Sequence, residues 1–420
     1  GGDIVIIDPH DGEIRAMASR RTDPRSAGSP AVSEPFEPGS TLKPLLASRL
    51  LQLQRATPEE IVNTENGKYV MDGRTITDEH KLPTMSLSDV IRYSSNIGIV
   101  KFTSRFTPRE KYDVLRDFGF GMPTGLPYPA EAAGTLRLPK EWSKMSPASL
   151  AMGYEIAVTP LQLAAAYVPI ANGGLLLEPS LIREIRAPDG KVRYHHEPRV
   201  IRRVMDADVA AKIRQMLVGV VTSGTSTEAA MLNFDVGGKS GTSRRTVGKH
   251  GYGVGAYTAS FVSLFPALAP QYVILVKLNN PKSDIFGGRT AAPVSKIVLQ
   301  AALAAGNASL DRSRLASHDS RDSLAPLADT AVRTQSTVSD EDTLPPVVLN
   351  VAAAHREPAA PALPRTIPDV RGMPVRAAAL SLHRAGFRVQ LDGLGSATSM
   401  APDAGTLATP GTLVRVSAAP

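Results

Sequence analysis

Glu37-Pro38-Gly39-Ser40-Thr41-Leu42-Lys43 joins a polar, Pro- and Gly-bearing stretch to a leucine-rich one. Thr41 to Arg55 carries Leu42, Leu45, Leu46, Leu50, Leu51 and Leu53, apolar on most faces, as expected of a helix buried inside a large domain. Ser40 stands at its mouth. If the helix begins there, Ser40 and Lys43 project on one face a turn apart, and a hydroxyl has an amine for neighbour. That amine accepts a proton only when neutral, which calls for desolvation or a nearby cation to lower its pKa. The first helical turn also leaves the Ser40 N–H free to hold a developing oxyanion. Taken alone the spacing is weak, because serine and lysine are common and a capped, solvent-facing turn is the better account of it.

Working outward, residues 4–7 and 13–18 form two strands around Asp8-Pro9-His10-Asp11-Gly12, whose Pro and Gly fit a hairpin turn. Downstream, Thr107-Pro108-Arg109-Glu110 and Thr159-Pro160-Leu161-Gln162 each pair a capping box with proline at the first helical position. Asp206 opens a helix whose Val209, Ile213, Leu217 and Val220 share one face. Three β-rich runs follow, Asn233 to Thr242, Tyr257 to Phe265 and Tyr272 to Leu278, joined by short polar connections that permit antiparallel pairing. A helix from Val294 to Ala304 closes this part. Residues 306–365, rich in Ser, Asp, Arg, Ala, Thr and Pro without a sustained apolar period, are expected to be a flexible linker. Beyond it come a strand near Ile367 to Val370, a helix from Val375 to Ala385 stopped by Gly386, and strands near Phe387 to Leu391 and Leu413 to Val416. The domain boundaries so predicted are 1–305, 306–365 and 366–420.

The whole has 420 residues, enough for one large domain and a small appendage. Its net charge of +7 is mild for the length and suits a solvated surface. With no cysteine, disulfides, thiol catalysis and thiolate metal sites are excluded. No apolar run reaches 18 residues and no charged-then-apolar leader opens the chain, so neither a membrane span nor a signal peptide is expected within it. It starts Gly1-Gly2 without methionine and runs straight into Ile4 to Ile7, the mark of a fragment whose natural start is missing.

Two further stretches carry chemistry. Lys239-Ser240-Gly241-Thr242 follows Val236-Gly237-Gly238 at a strand. There Gly241 leaves room for a substrate backbone to pair with the strand edge. Lys239 becomes a positive anchor, Ser240 and Thr242 hydroxyl donors, and the Thr242 N–H a second oxyanion donor. The competing reading is an edge strand with a lysine that guards against aggregation. Ser94-Ser95-Asn96 sits between helical segments and suits a turn. In chain order the three stretches spell S-x-x-K, S-x-N and K-[ST]-G, a joint pattern far less common than any one part.

These stretches, with Tyr93-Ser94-Ser95-Asn96-Ile97-Gly98, Gly153-Tyr154-Glu155-Ile156-Ala157-Val158-Thr159-Pro160-Leu161-Gln162 and Gly237-Gly238-Lys239-Ser240-Gly241-Thr242-Ser243, resemble a class B penicillin-binding protein, most of all the division-specific transpeptidase. The resemblance spans roughly residues 1–305 and includes Phe286-Gly287-Gly288; residues 366–417 resemble a PASTA domain. It implies an α+β fold (an α/β sandwich of the penicillin-binding-protein and serine β-lactamase kind), with a central antiparallel sheet flanked by helices and a small C-terminal βαββ domain. By the same resemblance Ser40 is the acylated nucleophile, Lys43 its proton acceptor and Ser94 a relay toward the leaving amine. Asn96 bonds the substrate amide, Lys239 stabilises the network, and Ser240, Gly241 and Thr242 form the substrate-binding strand that takes the terminal carboxylate of a D-alanyl-D-alanine stem. The implied activity is septal cross-linking of peptidoglycan with release of D-alanine, blocked covalently by β-lactams, with no cofactor or metal. Implied partners are stem peptides, a glycosyltransferase and division proteins. The implied location is the outer face of the cytoplasmic membrane, held by an N-terminal anchor that the chain lacks.

Alternatives stay open. A class A β-lactamase adds a glutamate base after the S-x-N box, but the one Glu-x-x-x-Asn spacing, Glu59 to Asn63, precedes it. A D,D-carboxypeptidase needs the same acyl-enzyme and differs in the nucleophile that resolves it; a non-catalytic wall-binding scaffold would not need Ser40, Lys43 and Lys239. His195-His196 near Glu197 points opposite ways on a strand, against a metal site. Arg199, Arg202 and Arg203 lack interleaved aromatics and form a solvated face rather than a nucleic-acid site. Arg244-Arg245, directly after the third box, is a candidate to attract substrate carboxylates.

Overall fold

The computed structural model describes residues 1–21, 29–128, 130–246, 252–305, 310–312, 315, 364–393, 395–409 and 411–419. The chain divides into two compact units. In the first, strands β1 (Gly2–Ile7), β2 (Ile14–Arg20), β3 (Gly237–Thr246), β4 (Tyr252–Phe265) and β5 (Tyr272–Asn279) form one antiparallel sheet in the order β3-β4-β5-β1-β2. The N-terminal hairpin thus pairs with the last strand, and β3 is left at an edge.

Both faces of this sheet are covered, and the side-chain alternation of a strand assigns each residue to one of two cores. Val5 and Ile7, Val262 and Leu264, and Val273 and Leu275 enter the larger cluster. Ile6, Phe261, Phe265, Tyr272, Ile274 and Val276 enter the smaller one on the opposite face. This is why Ile4 to Ile7 and Tyr272 to Leu278 lack the polar alternation of a half-exposed sheet. The larger core is closed by helices α1 (Lys43–Gln52), α2 (Leu87–Arg92), α3 (Asn96–Thr103), α4 (Pro108–Asp117), α5 (Pro160–Asn172) and α6 (Ala207–Thr222); the smaller by α7 (Gly287–Ala304).

The predicted caps form. Thr107 N–H donates to Glu110 at 2.8 Å while Glu110 N–H donates to the Thr107 hydroxyl at 3.2 Å, and Thr159 with Gln162 repeats the exchange at 2.8 and 3.1 Å. Several boundaries move. The first helix is α-helical only over Lys43–Gln52, preceded by a 3₁₀ turn over Gly39–Leu42. The strand expected from Asn233 begins at Gly237. The last helix begins at Gly287 rather than Val294, continuing through Pro293. Leu310 is buried in the smaller core, and Gln271 exchanges hydrogen bonds of 2.9 and 2.6 Å with Asp311, so packing continues past residue 305. The rest of the expected linker lies almost wholly outside the described residues.

In the second unit, β6 (Arg388–Asp392), β7 (Ser396–Ala401) and β8 (Leu413–Ala419) make a sheet in the order β6-β8-β7, β6 and β8 parallel, with α8 (Val375–Arg384) packed on it. Leu382, Phe387, Ala397, Met400, Val414 and Val416 fill its core. Two expectations change here. The segment Ile367 to Val370 is not a strand: the pairing lies just before it, Arg365–Thr366 against Leu407–Ala408, while Ile367 and Val370 are buried as core residues. Strand β7 was not foreseen.

Candidate active site

The turn Gly39–Leu42 carries Ser40. Side chains three apart eclipse in a 3₁₀ helix, so the tighter turn aligns Ser40 with Lys43 more closely than an α-helical one. The turn is clamped. The Thr41 hydroxyl donates to Pro38 O at 2.8 Å, Tyr167 OH donates to Thr41 O at 2.6 Å, and Gly39 N–H donates to Gly153 O at 3.1 Å. Gly153, at φ +85°, has no room for a side chain, because a Cβ there would lie 1.9 Å from Gly39 O. Its place in the stretch Gly153-Tyr154-Glu155 is thereby explained.

Ser40 opens onto a cleft of about 600 Å³ that is also lined by Ser94, Asn96, Ser240, Thr242 and Arg244. Behind that wall the two lysines are fully buried. Lys43 Nζ donates to Ser94 O at 2.6 Å and Asn96 Oδ1 at 2.8 Å, and reaches Ser94 Oγ at 3.3 Å. Lys239 Nζ donates to the same Ser94 Oγ at 3.0 Å and to Ser240 O at 3.1 Å. One hydroxyl therefore bridges two amines. Burial lowers the Lys43 pKa from the ordinary lysine value to about 7, against the opposing pull of the Asp78 charge. Burial, with the charge of Lys43 adding to it, holds Lys239 well below the ordinary lysine range. Lys239 is thus no edge-strand guard.

Ser94 takes a left-handed backbone, φ +60°, between α2 and α3, a conformation that costs a non-glycine residue about 1 kcal/mol or more. Ser240 Oγ lies 3.1 Å from Thr225 Oγ1, and Thr242 Oγ1 accepts from Gly287 N–H at 3.2 Å. A Cβ on Gly39 would stand 2.9 Å from Thr242 O and 3.5 Å from Thr242 N, so the strand backbone runs beside the Ser40 turn.

Gly241 does not make the room for substrate that its place in the strand had suggested. A Cβ there would meet Pro38 O and Ser260 Oγ, each at 2.6 Å, and Thr41 Cγ2 at 3.0 Å. The space beside Gly241 is filled by the nucleophile's own turn, not left for substrate; the free pairing edge comes from the place of β3 at the end of the sheet. Sequence reasoning also missed Asp78 and Thr225, neither of which belongs to a recognisable spacing, and it singled out Phe286-Gly287-Gly288 without placing the start of α7 there. Elsewhere, His196 contacts Asp11 O at 2.9 Å, Arg199 pairs with Glu178 at 2.8 Å and Arg202 with Asp117 at 3.3 Å. Among the described residues no group of three or more His, Cys, Asp or Glu is placed to hold a metal.

The description "penicillin binding protein transpeptidase domain" fits residues 2–300, and "PASTA domain" fits residues 365–419. The chain belongs to the penicillin-binding protein transpeptidase family. It is 33% identical over 313 residues to the probable peptidoglycan D,D-transpeptidase PenA of Neisseria flavescens, covering 72% of this chain and 75% of that protein. It is 35% identical over 312 residues to penicillin-binding protein PbpB of Mycobacterium tuberculosis, covering 69% of this chain but only 46% of PbpB. The chain therefore spans three quarters of one relative and under half of the other. The structure of penicillin-binding protein 3 from Mycobacterium tuberculosis complexed with aztreonam matches at TM-score 0.66 and 33% identity, over 72% of each chain. The expected fold, a central antiparallel sheet between helices with a PASTA region after it, is that of the family.

Of the two arginines after the third box, Arg244 is exposed and lines the cleft of this penicillin-binding protein domain, whereas Arg245 does not line it. An exposed ion pair is worth up to ~1 kcal/mol. Arg244→Ala is therefore expected to slow acylation by a carboxylate-bearing substrate about fivefold, with Arg245→Ala near wild type. Equal rates in the double variant Arg244→Ala, Arg245→Ala and wild type would remove the steering role.

Proposed function

We propose that this chain is the catalytic part of a peptidoglycan D,D-transpeptidase of septal wall synthesis. The observation that supports it best is the single Ser94 hydroxyl held between two buried amines at 3.3 and 3.0 Å, behind a serine that opens onto the cleft. Neutral Lys43 takes the Ser40 proton as Ser40 Oγ bonds to the penultimate D-alanine carbonyl of a stem peptide. The N–H groups of Ser40 and Thr242 hold the oxyanion, Ser240 and Thr242 the terminal carboxylate, and Asn96 the substrate amide. Collapse breaks the peptide bond. The proton passes from Lys43 through Ser94 to the leaving amine, with Lys239 stabilising the exchange, and D-alanine departs. An amine from a second stem then attacks the ester by the reverse proton path and frees Ser40. A β-lactam enters at the first step and stays. The same reading gives the enzyme a glycosyltransferase and division proteins as partners, and a place on the outer face of the cytoplasmic membrane. No helix among the described residues is long and apolar enough to cross a membrane.

Incubation with a D-alanyl-D-alanine pentapeptide and an excess of an amine acceptor, followed by mass analysis, tests the reading. The expected products are an amide-linked adduct and one D-alanine for each link. Hydrolysed tetrapeptide without adduct would make the protein a carboxypeptidase. Neither product, with wall fragments still bound, would make it a scaffold.

A further inference from the structure

Asp78 follows the hairpin Lys68–Met71 and Arg74–Thr77 and lines the cleft, yet it is only 6% exposed. Its own N–H donates to Gly67 O at 3.1 Å. Its carboxylate faces the start of α3: Oδ1 accepts from Asn96 N–H at 2.5 Å and Ile97 N–H at 3.1 Å, and Oδ2 accepts from the Ser95 hydroxyl. Ser95 Oγ in turn accepts from Gly98 N–H at 2.8 Å. The first three N–H groups of α3, which have no partner inside the helix, are thus all bound, two of them by one carboxylate. Thr77 O adds a bond from Asn96 Nδ2 at 3.0 Å. Residues 77 and 78 therefore grip Asn96 by backbone and side chain, while its Oδ1 is turned to Lys43.

We propose that Asp78 is a positioning residue for acylation, acting on Lys43 both through the loop it anchors and through its charge. This rests on the assignment of Ser40 and Lys43 given above. The loop part follows from Ser94. Its left-handed backbone persists only where neighbours hold it, and the neighbours on its C-terminal side, Ser95 and Asn96, are both bound by Asp78. Freed from that anchor, Ser94 loses the arrangement that puts its carbonyl and hydroxyl on Lys43. The charge part follows from what surrounds the Lys43 amine. Burial favours the neutral amine, ready to accept a proton, and the charge of Asp78, from the loop before α2, opposes it; Lys239, from β3, is itself held well below the ordinary lysine range, in part by the charge of Lys43. Asp78 favours the charged amine and so keeps it from becoming neutral at still lower pH. The carboxylate that builds the loop therefore also sets where on the pH scale the base switches on.

The test is the rate constant for acylation by a fluorescent penicillin from pH 5 to 9, in wild type, Asp78→Asn, Asp78→Glu and Ser95→Ala, each checked for folding by thermal melting. Asp78→Asn removes an anion beside Lys43, so the midpoint of the acid limb is expected to move to lower pH by roughly one unit, the low end of what a neighbouring charge does. Its plateau is expected to fall roughly 10-fold or more, from the displaced loop. Ser95→Ala and Asp78→Glu, which keep the charge, should lower the plateau and leave the midpoint in place. An unmoved midpoint in Asp78→Asn would reduce Asp78 to a structural cap. If that variant does not fold, a moved midpoint in Asp78→Glu or Ser95→Ala would sink the proposal equally, and an unmoved one with a lowered plateau supports it. A wild type that is not acylated at all would sink the assignment of Ser40 and Lys43 instead.

Discussion

Ser40→Ala is expected to abolish covalent labelling by a fluorescent penicillin while leaving the fold intact. The substitution removes one oxygen from a turn that is held by other atoms: Thr41 on Pro38, Tyr167 on Thr41, and Gly39 on Gly153. Nothing in that clamp uses the Ser40 side chain, so melting temperature should stay within the small range of a half-exposed substitution. Reversible binding should survive too, because Ser240, Thr242 and Arg244 still line the cleft. Residual labelling above background in this variant would mean that another nucleophile is at work.

The second large effect is at Lys43. Removing a general base costs roughly 10²–10⁴-fold in rate, and here the loss is expected toward the upper end, because the amine also holds Ser94 and Asn96 in place. Lys43→Ala should therefore acylate at about 10⁴-fold below wild type. The pH dependence supplies an independent sign. The Lys43 pKa is lowered to about 7, and only the neutral amine accepts a proton. Acylation by wild type should rise through an acid limb with its midpoint near that value and level off above it. Well below the midpoint the rate should drop by about tenfold for each pH unit. Raising the pH empties the inhibiting proton, so a rate that falls between pH 6 and 8 would contradict the assignment, as would an unchanged limb in the Lys43→Ala variant.

Much of this was legible in the sequence because it depends on short-range rules. The caps at Thr107 and Thr159 are local exchanges over three residues, and the central strands β1 and β5 are apolar runs that only a two-sided core accommodates. The three chemical stretches were recognisable for a related reason: each is a short spacing whose parts act on each other. What was hidden depends on contacts between distant segments. Gly287 and Gly288 are poor helix formers by propensity, yet α7 starts on them, and distant backbone requires glycine there: a Cβ on Gly287 would lie 2.2 Å from Ser260 O and one on Gly288 1.9 Å from Thr225 O. Strand β7, Ser396–Ala401, buries only Ala397 and Met400 and so lacks a strand's apolar signature. Ile367 and Val370 looked like a strand because they are apolar, but they are buried as core residues rather than paired. Asp78 is one of two adjacent acidic residues, Asp78-Glu79, in a polar stretch, and its importance exists only once α3 is brought to it.

The central claim is that the Ser40 hydroxyl, activated by a buried amine, is the atom that becomes acylated. Intact-mass measurement of the protein after exposure to a penicillin, with the modified peptide sequenced, tests this most directly. One adduct of the drug's full mass, attached at Ser40 and absent at pH values well below 7, is the predicted result. An adduct on Ser94, Ser240 or a lysine, or none at any pH, would contradict it.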